Sequence, residues 1–184
     1  MNMREKILVT ATDLFEAKGI QASGVDTIVA GAGVAKATLY KHFPSKNDLI
    51  TAYLREKSDR FYDWLNTNLS SKKAHSLDIL IELCELVERW ISTPKFHGLP
   101  FHIAAIEFPE TSHPINQYSA VLSLELQGYL SKIAAVAGAK NPETLGQQLT
   151  ILFEGAALVE RLNPNSGSAK RAKEAAIMLI HASV

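Results

Sequence analysis

A chain of 184 residues, 47% hydrophobic and 21% charged, is long enough to bury a core without covalent staples. The single cysteine, Cys84, excludes an internal disulfide, and no apolar run approaches the roughly 18 residues that cross a bilayer. Net charge is zero overall, yet residues 1–60 hold nine basic side chains against seven acidic ones, leaving the remainder correspondingly negative. That asymmetry is mild, but a local patch rather than the whole-chain balance is what meets a phosphate backbone. Met1–Lys6 leads into neither an apolar run nor a small-residue cleavage site, so a cytoplasmic protein without a leader is expected.

Nearly every segment has helical period and nothing alternates like a strand. Ile7, Leu8, Ala11, Leu14 and Phe15 form the stripe of a first helix, which Gly19 ends with Ile20 as its apolar partner. A short helix over residues 25–32 follows. Gly33 makes a tight turn, and a third helix spans residues 35–43 before Pro44 stops it. Ser45 and Asp48 form a capping-box pattern opening a fourth helix, which carries Leu49, Ile50, Tyr53, Leu54, Phe61 and Leu65 to about Asn66. Ser70–Lys73 reads as a loop. Helices are then expected at 77–91, 101–108, 115–137, 142–162 and 169–183, so the class is all-α with about nine helices.

Two short helices joined by a glycine-containing turn describe a helix-turn-helix, whose second helix enters the major groove. On residues 35–43, Leu39 and Phe43 lie four apart and must face the small core. That leaves Lys36, Ala37, Thr38, Tyr40, Lys41 and His42 partly or wholly outward. This face offers three cationic or protonatable groups, a hydroxyl, an aromatic ring and no acid, which suits DNA. The alternative, a solvated face with core aromatics, holds for Leu39 and Phe43. It does not explain an acid-free helix in a charge-balanced chain.

The run Gly33-Val34-Ala35-Lys36-Ala37-Thr38-Leu39-Tyr40-Lys41-His42-Phe43-Pro44-Ser45-Lys46-Asn47-Asp48-Leu49 is similar to the signature of the tetracycline-repressor (TetR/AcrR) family. The resemblance covers about residues 4–55. It implies a three-helix DNA-binding domain, taken as residues 1–46, and a helical ligand-binding and dimerisation domain over 47–184. By the same resemblance Lys36, Ala37 and Thr38 approach base edges. Tyr40 and His42 contact phosphates and sugars, Lys41 reads bases or phosphate, Lys46 holds a phosphate, and Thr27 touches the backbone. Two departures weaken particular contacts: Gly24 and Val25 stand where Ser or Thr is frequent, and Ala35 where Ser is frequent.

The resemblance also implies a ligand cavity and a pairing of the last two helices with those of a second copy. Candidate ligand residues are Trp90, Phe101, His102, Glu107, Tyr118 and Phe153, a set suited to a small, largely apolar effector. Candidate dimer residues are Leu149, Leu152, Ala156, Ala176 and Leu179, with ordinary intramolecular core as the alternative. Reading two half-sites of a palindrome requires a two-fold axis, hence a homodimer on double-stranded DNA.

His97, His102, Glu107 and His113 invite a metal reading, but spacings of five, five and six are not those of helical ligands, and no metal or cofactor is expected. An enzyme is not expected either. There is no glycine-rich phosphate loop, nucleophile elbow or paired-carboxylate motif, and Cys84 sits on an apolar stripe. The functional expectation is a sequence-specific regulator, in the family's usual mode a repressor released by its effector. Activation, and a helical ligand carrier with a vestigial helix-turn-helix, stay open.

Overall fold

The structure, a computed structural model, describes residues 2–69, 76–94 and 96–183. Every regular element among them is a helix: α1 (Met3–Lys18), α2 (Val25–Ala32), α3 (Lys36–His42), α4 (Lys46–Asn68), α5 (Asp78–Ile91), α6 (Pro100–Glu107), α7 (Pro114–Val136), α8 (Pro142–Leu162) and α9 (Ser168–Ala182). The bounds follow the chemistry of the ends. Three helices begin at a proline, which lacks the N–H that a first turn cannot pair. The loop expected at Ser70–Lys73 lies outside the described residues.

Packing divides the chain into two compact units, residues 1–60 with 100–120 and residues 61–99 with 121–184. The first unit thus joins the three N-terminal helices to the start of α4, all of α6 and the start of α7. Its centre is built from Ile7, Ala11 and Phe15 of α1, Ile28 of α2, Leu39 of α3 and Leu49, Ile50 and Leu54 of α4, all buried. Phe15 meets Tyr53 edge-on with centroids 5.3 Å apart. Each large apolar side chain so buried contributes about 1.5–3 kcal/mol against the entropy of ordering the chain.

Both starts that position the head are capped. Asn2 Oδ1 accepts the Glu5 N–H at 2.9 Å while a Glu5 oxygen accepts the Asn2 N–H, a reciprocal pair at the start of α1. At α4, Ser45 Oγ accepts the Asp48 N–H at 3.1 Å, as the spacing predicts. The returning Asp48 carboxylate takes the Ser45 hydroxyl at 2.7 Å.

In the second unit, α5 packs against α8 and α9, and α8 against α9. Leu80, Leu83, Cys84 and Val87 of α5 meet a wall of small residues that includes Ala156 and Ala157 of α8 and Ala172 and Ala176 of α9, all buried. Burial pushes the Cys84 thiol up to about 12, so it stays a protonated core side chain at neutral pH. Gly146 lets α8 touch α7: a Cβ there would stand 2.7 Å from the Ser131 backbone nitrogen. Beyond α8, Glu160 orders the turn into α9, its carboxylate accepting the Asn165 N–H at 2.6 Å and the Ser166 and Ser168 hydroxyls.

Candidate nucleic-acid interface

Gly33 ends α2 in the left-handed conformation at φ 59°, ψ 42°, and its N–H and that of Val34 bond back to the last carbonyls of α2. Ala35 then opens α3 in an extended conformation, so the two helices are joined by a three-residue turn. Leu39 and Phe43 are buried, as their spacing requires, and anchor α3 to the core. Arg4 of α1 lies over the Phe43 ring, 4.9 Å from its centroid.

With that anchor in place, Lys36, Ala37, Tyr40 and Lys41 are exposed and Thr38 and His42 half-buried. Tyr40 keeps 40% of its surface in solvent, a large value for a ring on a seven-residue helix. Thr27 is exposed on α2. The caps agree with the two departures noted in the sequence. Gly24 and Ala35, at the N-caps of α2 and α3, make no side-chain cap bond, which leaves the first N–H groups of both helices free of side-chain acceptors.

Two of the candidate side chains are engaged within the chain. Lys36 Nζ lies 2.9 Å from Asp26 Oδ1, and this pairing holds its ammonium above the usual lysine range. The α3 face carries no acid of its own, but α2 supplies one at its edge. Ten residues of separation across a turn are no helical spacing, which is why the sequence pattern did not show it. Lys46 Nζ donates to the Ile20 carbonyl at 2.8 Å and the Gln21 carbonyl at 3.3 Å. Burial lowers its pKa, with Glu107 opposing that shift.

The candidate ligand residues fall into two groups. Trp90 and Phe153 meet in the second unit, at an apolar cavity also lined by Phe61, Leu65, Leu126 and Leu130. Its free space is about 10 Å³, roughly the room for one water. Phe101, His102, Glu107 and Tyr118 belong to the first unit. There Phe101 stacks edge-on against His102, Tyr118 accepts a 2.8 Å hydrogen bond from Arg55 Nε, and Glu107 bonds the Ile20 and Gln21 amides. Among the described residues no group of three His, Cys, Asp or Glu side chains could hold a metal ion.

Of the candidate dimer residues, Leu149, Ala156 and Ala176 are buried within the chain, and Leu152 and Leu179 are half-buried. The apolar groups that α8 and α9 leave in solvent are others. Ile151 (71% exposed), Leu158, Val159 and Leu162 (76%) run along α8, and Met178 (73%) stands out from α9. The small residues among the candidates, Ala156 and Ala176, are buried where α5, α8 and α9 pack within one chain, in line with the core alternative that the sequence left open.

A three-helix head with a short, cationic second helix of the pair, carried in an all-helical chain, defines a helix-turn-helix protein. Residues 7–53 match the family model described as "Bacterial regulatory proteins, tetR family". The regulator LmrA of Bacillus subtilis is 30% identical over 115 residues, 62% of this chain and 61% of LmrA. The transcriptional activator FasR of Mycolicibacterium smegmatis is 41% identical over 56 residues, 30% of this chain and 26% of FasR. The matched stretches thus span less than two thirds of either relative. Over the whole fold, the crystal structure of a TetR-family transcriptional regulator from Streptomyces coelicolor superposes with a TM-score of 0.86 at 26% identity, covering 98% of this chain and 95% of that one. The head over residues 7–53 thus carries the tetR-family pattern, and the whole chain is similar in fold to a TetR-family transcriptional regulator.

Proposed function

We propose that the protein is a homodimeric repressor that occupies a palindromic operator and is released by a small, apolar effector. The observation that carries the DNA reading is α3 itself. Leu39 and Phe43 take its inner face, and every outward side chain is cationic, protonatable, hydroxyl-bearing, aromatic or small. In this reading Lys36, Ala37 and Thr38 meet base edges, and Tyr40, Lys41 and His42 meet bases and phosphates. Thr27 and the uncapped N-terminus of α2 meet the backbone, where free N–H groups and the helix dipole favour an anion. Two such heads reading half-sites one helical turn apart need a two-fold axis. The exposed stripe Ile151, Leu158 and Leu162, together with Met178, is the surface a second copy covers. A dimer seated on its operator keeps other proteins off that DNA, and this is repression in its simplest form.

For the effector, the chemistry of the cavity speaks for a neutral, apolar molecule, since its lining offers rings and aliphatic chains only. A cavity with room for about one water has to open to admit it. Phe61 and Leu65, in its wall, lie on the same helix whose first residue is Lys46. A ligand that favours a different placement of α4 lowers operator affinity by the coupling free energy between the two states, about 1–3 kcal/mol. Among the described residues no helix is long and apolar enough to cross a membrane, and the proposed place of action is the cytoplasm, where the DNA is.

The test is a selection of bound genomic fragments with purified protein, beside a Tyr40→Ala/Lys41→Ala variant. Both residues are exposed, so the variant keeps its fold. An enriched palindrome that the variant loses supports the reading. A folded dimer with no sequence preference at low salt overturns it and leaves a ligand carrier. A reporter placed behind the selected operator then distinguishes repression from activation.

A further inference from the structure

The connector between α1 and α2 leaves its helix at Gly19, whose φ of 94° is one that L side chains rarely adopt. The Ile20 and Gln21 amides have therefore lost any helical partner. Ile20 is 1% exposed, so water does not supply one. Both amides are taken by one carboxylate from 86 residues and more along the chain. Glu107 Oε1 accepts the Ile20 N–H at 3.0 Å, and Oε2 accepts the Gln21 N–H at 2.6 Å. The Gln21 side-chain amide donates in return to the Glu107 carbonyl. On the opposite side of the same two residues, the Ile20 and Gln21 carbonyls accept from Lys46 at the first turn of α4. Ser23, fully buried, closes the connector by donating to the Gly19 carbonyl at 2.7 Å. Gly19 is the residue that permits this approach, because a Cβ there would stand 3.2 Å from Glu107 Oε1.

The end of α6, the start of α4 and the end of α1 are therefore pinned to one dipeptide by a carboxylate and an ammonium. Three residues beyond that dipeptide the chain enters α2, which carries Asp26 and Thr27 and leads through the turn into α3. We propose that Glu107 is a positioning residue for DNA reading: from the end of α6 it fixes the α1–α2 connector against Lys46 and so sets the angle at which α2 and α3 present their outward faces. Glu107 touches no DNA in this arrangement. Its effect is on geometry, and geometry matters more to base readout than to phosphate attraction, since the latter needs only charge nearby. A direct hydrogen bond to a charged group is among the stronger ones, and the bond to the Ile20 amide is part-buried, so its loss is measurable.

The inference rests on the DNA reading above, and the experiment separates the two. The full-length chain is compared with Glu107→Gln, which keeps the shape but holds only one acceptor oxygen and no charge, and with Glu107→Ala. Amide hydrogen exchange at Ile20 and Gln21 reports the clamp without DNA. Affinity for the operator selected by the wild type, and for random duplex at low salt, reports its consequence. The expected result is exchange about tenfold faster at both amides, operator affinity down about tenfold, and random-duplex affinity unchanged, with Glu107→Gln intermediate. Equal loss on operator and random DNA with a lowered melting point would mean that Glu107 only holds the fold, and would overturn the inference. So would unchanged operator affinity in Glu107→Gln, the variant that keeps the packing. A wild type that selects no sequence sinks the DNA reading and this inference with it. A wild type whose operator Glu107→Ala binds equally well sinks the inference alone.

Discussion

Lys36 shows what a neighbour does to a side chain that a sequence pattern treats as free. Asp26 stands 2.9 Å from it, with both groups well exposed, so water screens the pair and it adds little stability. Its consequence is for binding. Under the proposed DNA reading, a carboxylate at the edge of the α3 face repels phosphate and must release Lys36 before that ammonium can bond DNA. Asp26→Asn is therefore expected to raise affinity for random duplex severalfold at low salt, with the gain fading as salt screens it. Fluorescence anisotropy across a salt series reads this directly, and an affinity unchanged at low salt would contradict it. Glu107 is the counterpart in the other direction. Sequence marked it as a polar candidate, but its partners lie 86 and 87 positions away, and no local spacing encodes such a bond.

Among the helices, the sequence was most legible where side-chain period decides the outcome. Leu39 and Phe43 four apart fixed the inner face of α3, and Ser45 with Asp48 marked the start of α4. It was least legible where two elements approach each other. Gly146 sits mid-helix, where glycine is normally a cost, and only the Ser131 backbone at 2.7 Å from its missing Cβ explains it. Gly146→Ala is expected to overpack α7 against α8 and cost about 1–3 kcal/mol, seen as a melting point lower by several degrees. A melting point equal to or above the wild type's would show that the two helices part without strain. The turn between α8 and α9 depends on acid. The Ser166 hydroxyl and the Asn165 and Ser166 N–H groups favour the charged form of Glu160 and hold its pKa below the ordinary carboxylate value. A carboxyl depressed on folding contributes stability above its unfolded pKa, and that contribution disappears as pH falls through the folded one. The melting-point gap between wild type and Glu160→Gln should thus be present at neutral pH and close below about pH 4. A gap independent of pH would refute the assignment.

At the scale of the whole molecule, the proposed dimer needs a surface for a second copy to cover. Ile151, Leu162 and Met178 each leave more than two thirds of their surface in water, more apolar exposure than a lone chain needs on two adjoining helices. Ile151→Glu/Met178→Glu should leave the monomer fold intact, because neither side chain packs in its own core, and should abolish the dimer. Sedimentation would show a single-chain mass. Operator affinity should fall by about 100-fold or more once the two half-site contacts are no longer tied together. A double variant that sediments as a dimer would place the interface elsewhere.

The sequence by itself determined the helical class, the order of the helices, and the helix-turn-helix with its likeness to the tetR family. Each of these is written locally, in a side-chain period, a cap, a turn glycine or a contiguous signature from Gly33 to Leu49. Tertiary structure alone decided which of the charged and small residues are already occupied. Lys46 and Glu107 are committed to the Ile20–Gln21 peptide, and Ala156 and Ala176 to the core, while Ile151 and Met178 stay in solvent. The reason is physical: an amide sheltered from water must find its acceptor wherever the fold brings one, and a small side chain looks the same in sequence whether it admits a helix of its own chain or of another.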